Sequence, residues 1–158
     1  MLLSKEIAVY LNLSACKLKQ YTAAMLKQSN VGLTPEQFLV IDILWNQGPM
    51  SQQKVADTIQ KDKNSVTKLV DALEKKGMVT RVKDTEDRRS NKLVLTPLAE
   101  EMKNNAKEIG ISMLDKMLDG IDEGELRSFL RTLSKMTANM SQGQELPQYP
   151  GQDDPSNG

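Results

Sequence analysis

The chain has 158 residues, of which 39% are hydrophobic, 27% charged and only 4% aromatic, a balance that fits one globular domain with a true core and an added arm. With a single cysteine, Cys16, and no histidine, an intrachain disulfide, the common zinc-ligand sets and histidine-based catalysis are excluded, and no metal or cofactor is expected. Basic and acidic residues number 21 each, yet residues 61–92 hold ten Lys/Arg against six Asp/Glu while residues 93–158 hold six against eleven, so the middle of the chain is its basic part.

The opening MLLSKEIAVY lacks the basic segment and long apolar run of a secretory leader, and no apolar stretch approaches a membrane span, so a cytoplasmic protein with no membrane partner is expected. From about Lys5 to Gln28, Ile7, Leu11, Leu18, Tyr21 and Met25 recur at helical spacing, and this apolar stripe needs a partner. Asn30-Val31-Gly32-Leu33 breaks the helix. Thr34-Pro35-Glu36-Gln37 starts a second one, with a capping hydroxyl, a proline at the first helical position and a capping-box glutamine. Phe38, Ile41, Leu44 and Trp45 turn toward a core before Asn46-Gln47-Gly48-Pro49 ends it.

Ser51 caps a short third helix carrying Val55, Ala56 and Ile59, and Gln60-Lys61-Asp62 makes a brief turn. A fourth helix, about Lys63 to Lys76, places Val66, Leu69, Val70 and Leu73 on one face and stops at Gly77. Two short helices joined by a tight turn form a helix-turn-helix. The period then changes to alternation in Met78–Val82 and again in Lys92–Leu95, with the charged Lys83–Asn91 segment between them: a hairpin wing. Thr96-Pro97 opens a long helix with Met102, Ala106, Ile109 and Met113 in its stripe, ending near Gly120. Asp122-Glu123-Gly124-Glu125 is a capping box for a last helix carrying Leu126, Phe129, Leu130, Leu133 and Met136. From Ser141 the tail is rich in Pro, Gly, Gln, Ser and Asp without apolar period, and disorder is expected for 141–158.

The outer face of the fourth helix offers Asn64, Ser65, Thr67, Lys68, Asp71 and Lys75, side chains suited to base edges and phosphates in the major groove. Ser51, Gln52 and Lys63, at the starts of the two helices, complete that candidate contact set. By itself the pattern also describes a solvated helix face. The wing strengthens the reading: Arg88 and Arg89 at its tip, flanked by Lys83 and Lys92, suit the negative potential of a minor groove. Asp87 carries the wrong sign for DNA, and a role in pairing with a neighbouring guanidinium and directing it accounts for its presence. The stripes at both ends of the chain exceed what a small winged core can cover, and mutual burial in a two-fold dimer or folding into one helical bundle would each resolve this.

The run LVDALEKKGMVTRVKDTEDRRSNKLVLTPLAE, with D-x-x-D-R-R from Asp84 to Arg89 followed by Leu95-Thr96, resembles the MarR family of multiple antibiotic resistance regulators over about residues 5–140. One departure is Ala99, where the family motif often has glycine. The resemblance implies a mainly α fold with a small β-hairpin wing. The winged helix-turn-helix would span about residues 34–98, and dimerisation helices about 5–29 and 97–140. It further implies a homodimer bound to double-stranded DNA at a pseudo-palindromic operator, the Lys63–Lys76 helix in the major groove, Arg89 in the minor groove and Asp87 orienting it. The function implied is a ligand-responsive transcriptional repressor. An effector pocket near Tyr21, Met25, Phe38, Trp45 and Met113, for small aromatic anions, is suggested in the same way.

Several features carry a second reading. Some members of the family sense peroxides through a cysteine of the N-terminal helix, so Cys16 is either a redox sensor or a buried, inert small hydrophobe; the burial reading is preferred here. The methionines of the terminal helices either line an adaptable pocket or fill a helical core. A winged-helix module that binds a protein is the competing function, but such a surface would ordinarily carry aromatic or aliphatic anchors in place of Lys68, Lys75, Arg88 and Arg89. No phosphate loop, metal cluster or nucleophile–base pair marks an enzyme.

Overall fold

A computed structural model describes residues 1–143, and its helices start and stop where local chemistry dictates. Helix α1 runs Leu2–Gln28 and α2 Pro35–Gln47. Thr34 accepts from the Gln37 amide at 3.2 Å while the Gln37 side chain accepts from the Thr34 amide at 3.2 Å, the reciprocal box expected from the sequence. A two-residue strand β1, Met50–Ser51, precedes α3, Gln52–Ile59; Ser51 caps α3 by accepting from Lys54 N–H at 3.1 Å. Gln60 takes the left-handed conformation at φ 56° and turns the chain into α4, Lys63–Lys75. Strands β2, Val79–Lys83, and β3, Asn91–Leu95, form the wing. Helix α5 spans Pro97–Glu101, α6 Lys103–Met117 and α7 Glu123–Met140.

The structure differs from the sequence reading at three places. Strand β1 is too short to show alternation, and it exists because β3 has a free edge: the sheet order is β1-β3-β2, with Met50 opposite Leu93 and Ser51 opposite Lys92, all antiparallel. The helix expected to run unbroken from Thr96 is interrupted at Met102, between α5 and α6. Cys16, for which burial is expected from residue type, is exposed on α1 in the single chain. The expected tail lies, from residue 144 on, outside the described residues.

By contact pattern the chain divides into two units, Met1–Met113 and the part from Leu114 on. In the first, α2 supplies Val40, Ile41, Ile43 and Leu44, α3 Val55, α4 Val66, Val70 and Leu73, and β3 Leu93, all 2% exposed or less, the continuous core that any winged domain requires. Trp45 is buried, donates its indole N–H to Ala99 O at 3.1 Å and meets Phe38 edge-on at 5.9 Å. Gly77, at φ 71°, ends α4, and Thr96 then ties both ends of the hairpin together: its amide donates to Met78 O and its hydroxyl to Gly77 O. In the second unit α7 opens on the expected box, Asp122 accepting from Gly124 N–H and Glu125 from the Asp122 amide, and none of its residues is buried. Among the described residues no helix is long and apolar enough to cross a membrane.

Helix α1 is joined to the winged core by charge as well as by Leu26. Glu36, at the start of α2, meets Lys19 of α1 at 3.0 Å and Lys61 of the α3–α4 turn at 3.3 Å. The Lys19 ammonium, hydrogen-bonded to it, is the main reason its carboxyl lies below the usual range; Lys61 adds to the effect, and partial desolvation opposes it. A carboxyl whose pKa is lowered by folding contributes stability above the ordinary glutamate range and loses it as pH falls through the lowered value. Glu36→Gln should therefore show a small Tm deficit at neutral pH that shrinks as acid titrates the group. The two proteins should melt together once the pH lies well below the lowered value, as thermal melts across pH would record.

Candidate nucleic-acid interface

Helix α4 has two faces because its apolar residues recur at i, i+4 and i+7. Val66, Val70 and Leu73 are buried, whereas Lys63, Asn64, Lys68, Asp71 and Lys75 are exposed. Asp62 caps the helix, accepting from both the amide of Ser65 at 2.9 Å and its hydroxyl at 2.6 Å. That hydroxyl bond, with the amide bond added to it, holds the Asp62 carboxyl below the usual range. Asn64, Lys63, Lys68 and Lys75 have no side-chain hydrogen bond or ion pair among the described residues. They are available to a ligand.

One residue that sequence reasoning overlooked organises the inner edge of this surface. Arg81, at the centre of β2 and opposite Leu93 of β3, reaches Asp71 at 2.7 Å and Glu74 at 3.0 Å. It also donates through Nε to Gln52 Oε1 at 3.3 Å and through a terminal nitrogen to Thr67 O at 3.4 Å. Its side chain is only 20% exposed. Asp71, placed by sequence among the outward residues of the reading face, is thus committed to the wing strand. The signal was present in the i, i+3 pair Asp71 and Glu74 followed by a lone arginine in the first wing strand, but only the fold brings the two segments side by side.

The wing tip differs from expectation in one detail. Asp87 does not pair with a guanidinium among the described residues; its carboxylate accepts the backbone N–H of Arg89 at 3.0 Å. Asp84 does the same for Glu86 at 3.0 Å, and Ser90 N–H and Oγ both donate to Asp87 O. Asp87 therefore shapes the loop backbone from which Arg89 projects, because a carboxylate two residues before an amide closes a turn more readily than it reaches a long side chain. Arg88 and Arg89 are exposed, and neither side chain has an ion pair among the described residues. Arg89, Ser90 and Asn91 of the wing line one cleft of about 590 Å³ together with Gln52, Lys63, Thr67 and Arg81.

Of the predicted contact residues, Ser51 is engaged in capping, Gln52 and Thr67 are half-buried in the lining of the cleft, Lys63 and Arg89 are exposed in that lining, and Asn64, Lys68, Lys75 and Arg88 are exposed elsewhere on α4 and the wing. Four of the five residues named for an effector pocket fall in two pairs. Tyr21 donates its hydroxyl to Met113 O at 2.8 Å, linking α1 to α6, and Phe38 meets Trp45; Met25 is half-buried on α1.

A model of the MarR family matches residues 33–91, the span from the start of α2 to the beginning of β3. The chain is similar to the HTH-type transcriptional regulator MhqR of Bacillus subtilis (strain 168), 27% identical over 111 residues that cover 70% of this chain and 77% of MhqR. Among solved structures it resembles the S. aureus MepR–DNA complex at TM-score 0.76 and 22% identity, covering 84% of this chain and 96% of that one. It also resembles reduced AbfR bound to DNA, at TM-score 0.72 and 20% identity, covering 87% and 94%. At these identities the structural likeness establishes a winged-helix fold.

The Arg81 geometry makes a specific demand. Two carboxylates and an amide are served by separate nitrogens of one planar fork, which an ammonium cannot reproduce. Arg81→Met should cost about 1 kcal/mol, since Asp71 and Glu74 are partly exposed and screened, and Arg81→Lys should restore only part of it. Urea denaturation of the three proteins measures both.

Proposed function

We infer that this chain, which belongs to the MarR family, is a DNA-binding transcriptional regulator that acts as a homodimer, with α4 in the major groove and Arg89 of the wing in the minor groove. The observation that carries the reading is the cleft lined by both α4 and the wing, with Lys63 and Arg89 in its lining and Asn64, Lys68, Lys75 and Arg88 exposed and uncommitted on the same two elements. Cations free of internal partners attract phosphate and release its condensed counterions; polar groups beside them address base edges. The competing protein-binding reading lacks the apolar anchors it would need on this surface.

The dimer is supported by apolar side chains left uncovered in the single chain. On α1, Leu3, Tyr10 and Leu13 are 58–62% exposed; on α6, Ile111 is 61% exposed, and on α7, Phe129 and Leu130 are 57% and 56% exposed. Water-exposed apolar faces of this extent on terminal helices favour burial against a second copy. Residues 1–140 would then act as one regulatory domain, the winged helix-turn-helix of about 34–98 carried between dimerisation helices of about 5–29 and 97–140. Light scattering at micromolar concentration is expected to return twice the mass of the chain, and a monomer mass there would refute the dimer.

The reading extends to a cytoplasmic, non-enzymatic repressor that responds to a small aromatic anion held near Tyr21, Met25, Phe38, Trp45 and Met113. Support for that site is the concentration of aromatic and sulfur-bearing side chains on α1, α2 and α6. The exposed position of Cys16 on α1 gives the thiol access to oxidants, but no cationic partner sits beside it among the described residues, so we retain effector binding as the regulatory mode.

DNA binding is tested most directly at the wing. Arg89→Ala should weaken binding to many sequences and lower the slope of log affinity against log salt by about 1 for each phosphate that is no longer neutralised. Discrimination should persist except at A/T-rich positions. Titrations of matched and scrambled duplexes at two salt concentrations measure both effects, and unchanged affinity together with an unchanged slope would remove the wing from the interface.

A further inference from the structure

The direction of every hydrogen bond from Arg81 through Gln52 and Thr67 to Lys63 is set by its two ends. A guanidinium can only donate, so the atom of the Gln52 amide that meets Arg81 Nε at 3.3 Å is the oxygen. The amide nitrogen is thereby turned to Thr67, donating to Oγ1 at 2.9 Å. At the other end the backbone carbonyl of Lys63 can only accept, and it takes the single hydroxyl proton of Thr67 at 2.9 Å. Asp71 and Glu74 hold the guanidinium in place, so the chain of donors cannot readily reverse.

Thr67 consequently has no donor left for DNA. Its neighbour Ser65 is in the same position, because its hydroxyl proton goes to Asp62. What Thr67, a half-buried lining residue of the cleft between α4 and the wing, retains is its Cγ2 methyl group and one acceptor lone pair on Oγ1. The major-groove edge of thymine carries a C5 methyl that cytosine lacks, and apolar contact with it discriminates between the two pyrimidines.

We infer that Thr67 is a specificity-determining residue that recognises thymine through a methyl–methyl contact, with its hydroxyl reserved for positioning Gln52 and α4. The inference deepens the DNA-binding reading and rests on it. To donate to a base, the hydroxyl would first have to break the bond to Lys63 O, exchanging one hydrogen bond for another with little net gain; its remaining lone pair can only accept, from an adenine or cytosine amino group that thymine does not offer. Joining two methyl groups displaces water from both at no such cost.

The test begins with duplexes that the full-length protein selects from a randomised pool. Each thymine of a selected half-site is then replaced singly by deoxyuridine, which removes only the C5 methyl. One thymine per half-site is expected at which the wild-type protein binds about fourfold more weakly after replacement, the factor for exposing about one methyl group. Thr67→Ser keeps the hydroxyl chain and drops the methyl, so it should bind the thymine and uracil duplexes equally. Thr67→Val should still prefer thymine even where its overall affinity falls. Undiminished thymine preference in Thr67→Ser would overturn the inference, as would a wild-type scan in which no replacement matters. Failure of the wild-type protein to enrich any duplex sinks the DNA-binding reading itself, and the inference with it, and is a distinct result.

Discussion

Burial of Val66, Val70 and Leu73, none of them measurably exposed, anchors α4 to the winged core and thereby determines the orientation of everything else on that helix. Three aliphatic side chains at successive turns supply several kcal/mol of transfer free energy, far more than the helix could gain from its polar face. A rotation of α4 by half a turn would expose them and bury Lys63, Asn64 and Lys68, whose desolvation has no compensation in this core. The outward set is therefore a consequence of the inward one. The capping of α4 by Asp62 and its stop at Gly77 limit where along the axis that surface begins and ends.

The second constraint is electrostatic. A helix meant to approach phosphate would be disadvantaged by Asp71 and Glu74, but Arg81 pairs with both from the adjoining strand and offsets one of their two charges, while Lys63, Lys68 and Lys75 of the same helix stay exposed. The same guanidinium orients Gln52 and, through it, Thr67. Wing and reading helix are consequently linked by a polar bridge whose removal would loosen the relation between them. Lys76 makes a comparable link at the far end of α4, donating to Gly32 O at 2.7 Å and to Gln37 Oε1 at 2.6 Å. Those bonds connect the end of the reading helix to the corner where α1 meets α2, and motion of α1 could reach α4 along that route.

Cys16 and Asp87 illustrate where a linear reading reaches its limit. Burial is the ordinary expectation for a cysteine such as Cys16, but α1 contributes only Leu26 to the buried set of its own chain, and a stripe cannot reveal whether its partner lies in the same chain or another. For Asp87, the charge pattern points to a guanidinium partner. The backbone amide two residues on is closer and already oriented, so the loop closes on it instead.

Period, punctuation and charge in the sequence determined the identity and order of the helices, the helix-turn-helix, the hairpin wing, both capping boxes and the basic surface, because each depends on residues within about seven positions of one another. The registration of β1 on β3, the commitment of Asp71 to Arg81 and the donor-less state of Thr67 were decided by the tertiary structure. Each of these depends on where the packed core places segments that are distant along the chain, as when Gln52, Thr67 and Arg81, 15 and 14 residues apart in sequence, converge within one cleft. Local chemistry can specify which side chains are able to donate or accept; only the assembled fold determines which of those capacities are already used and which remain for a ligand.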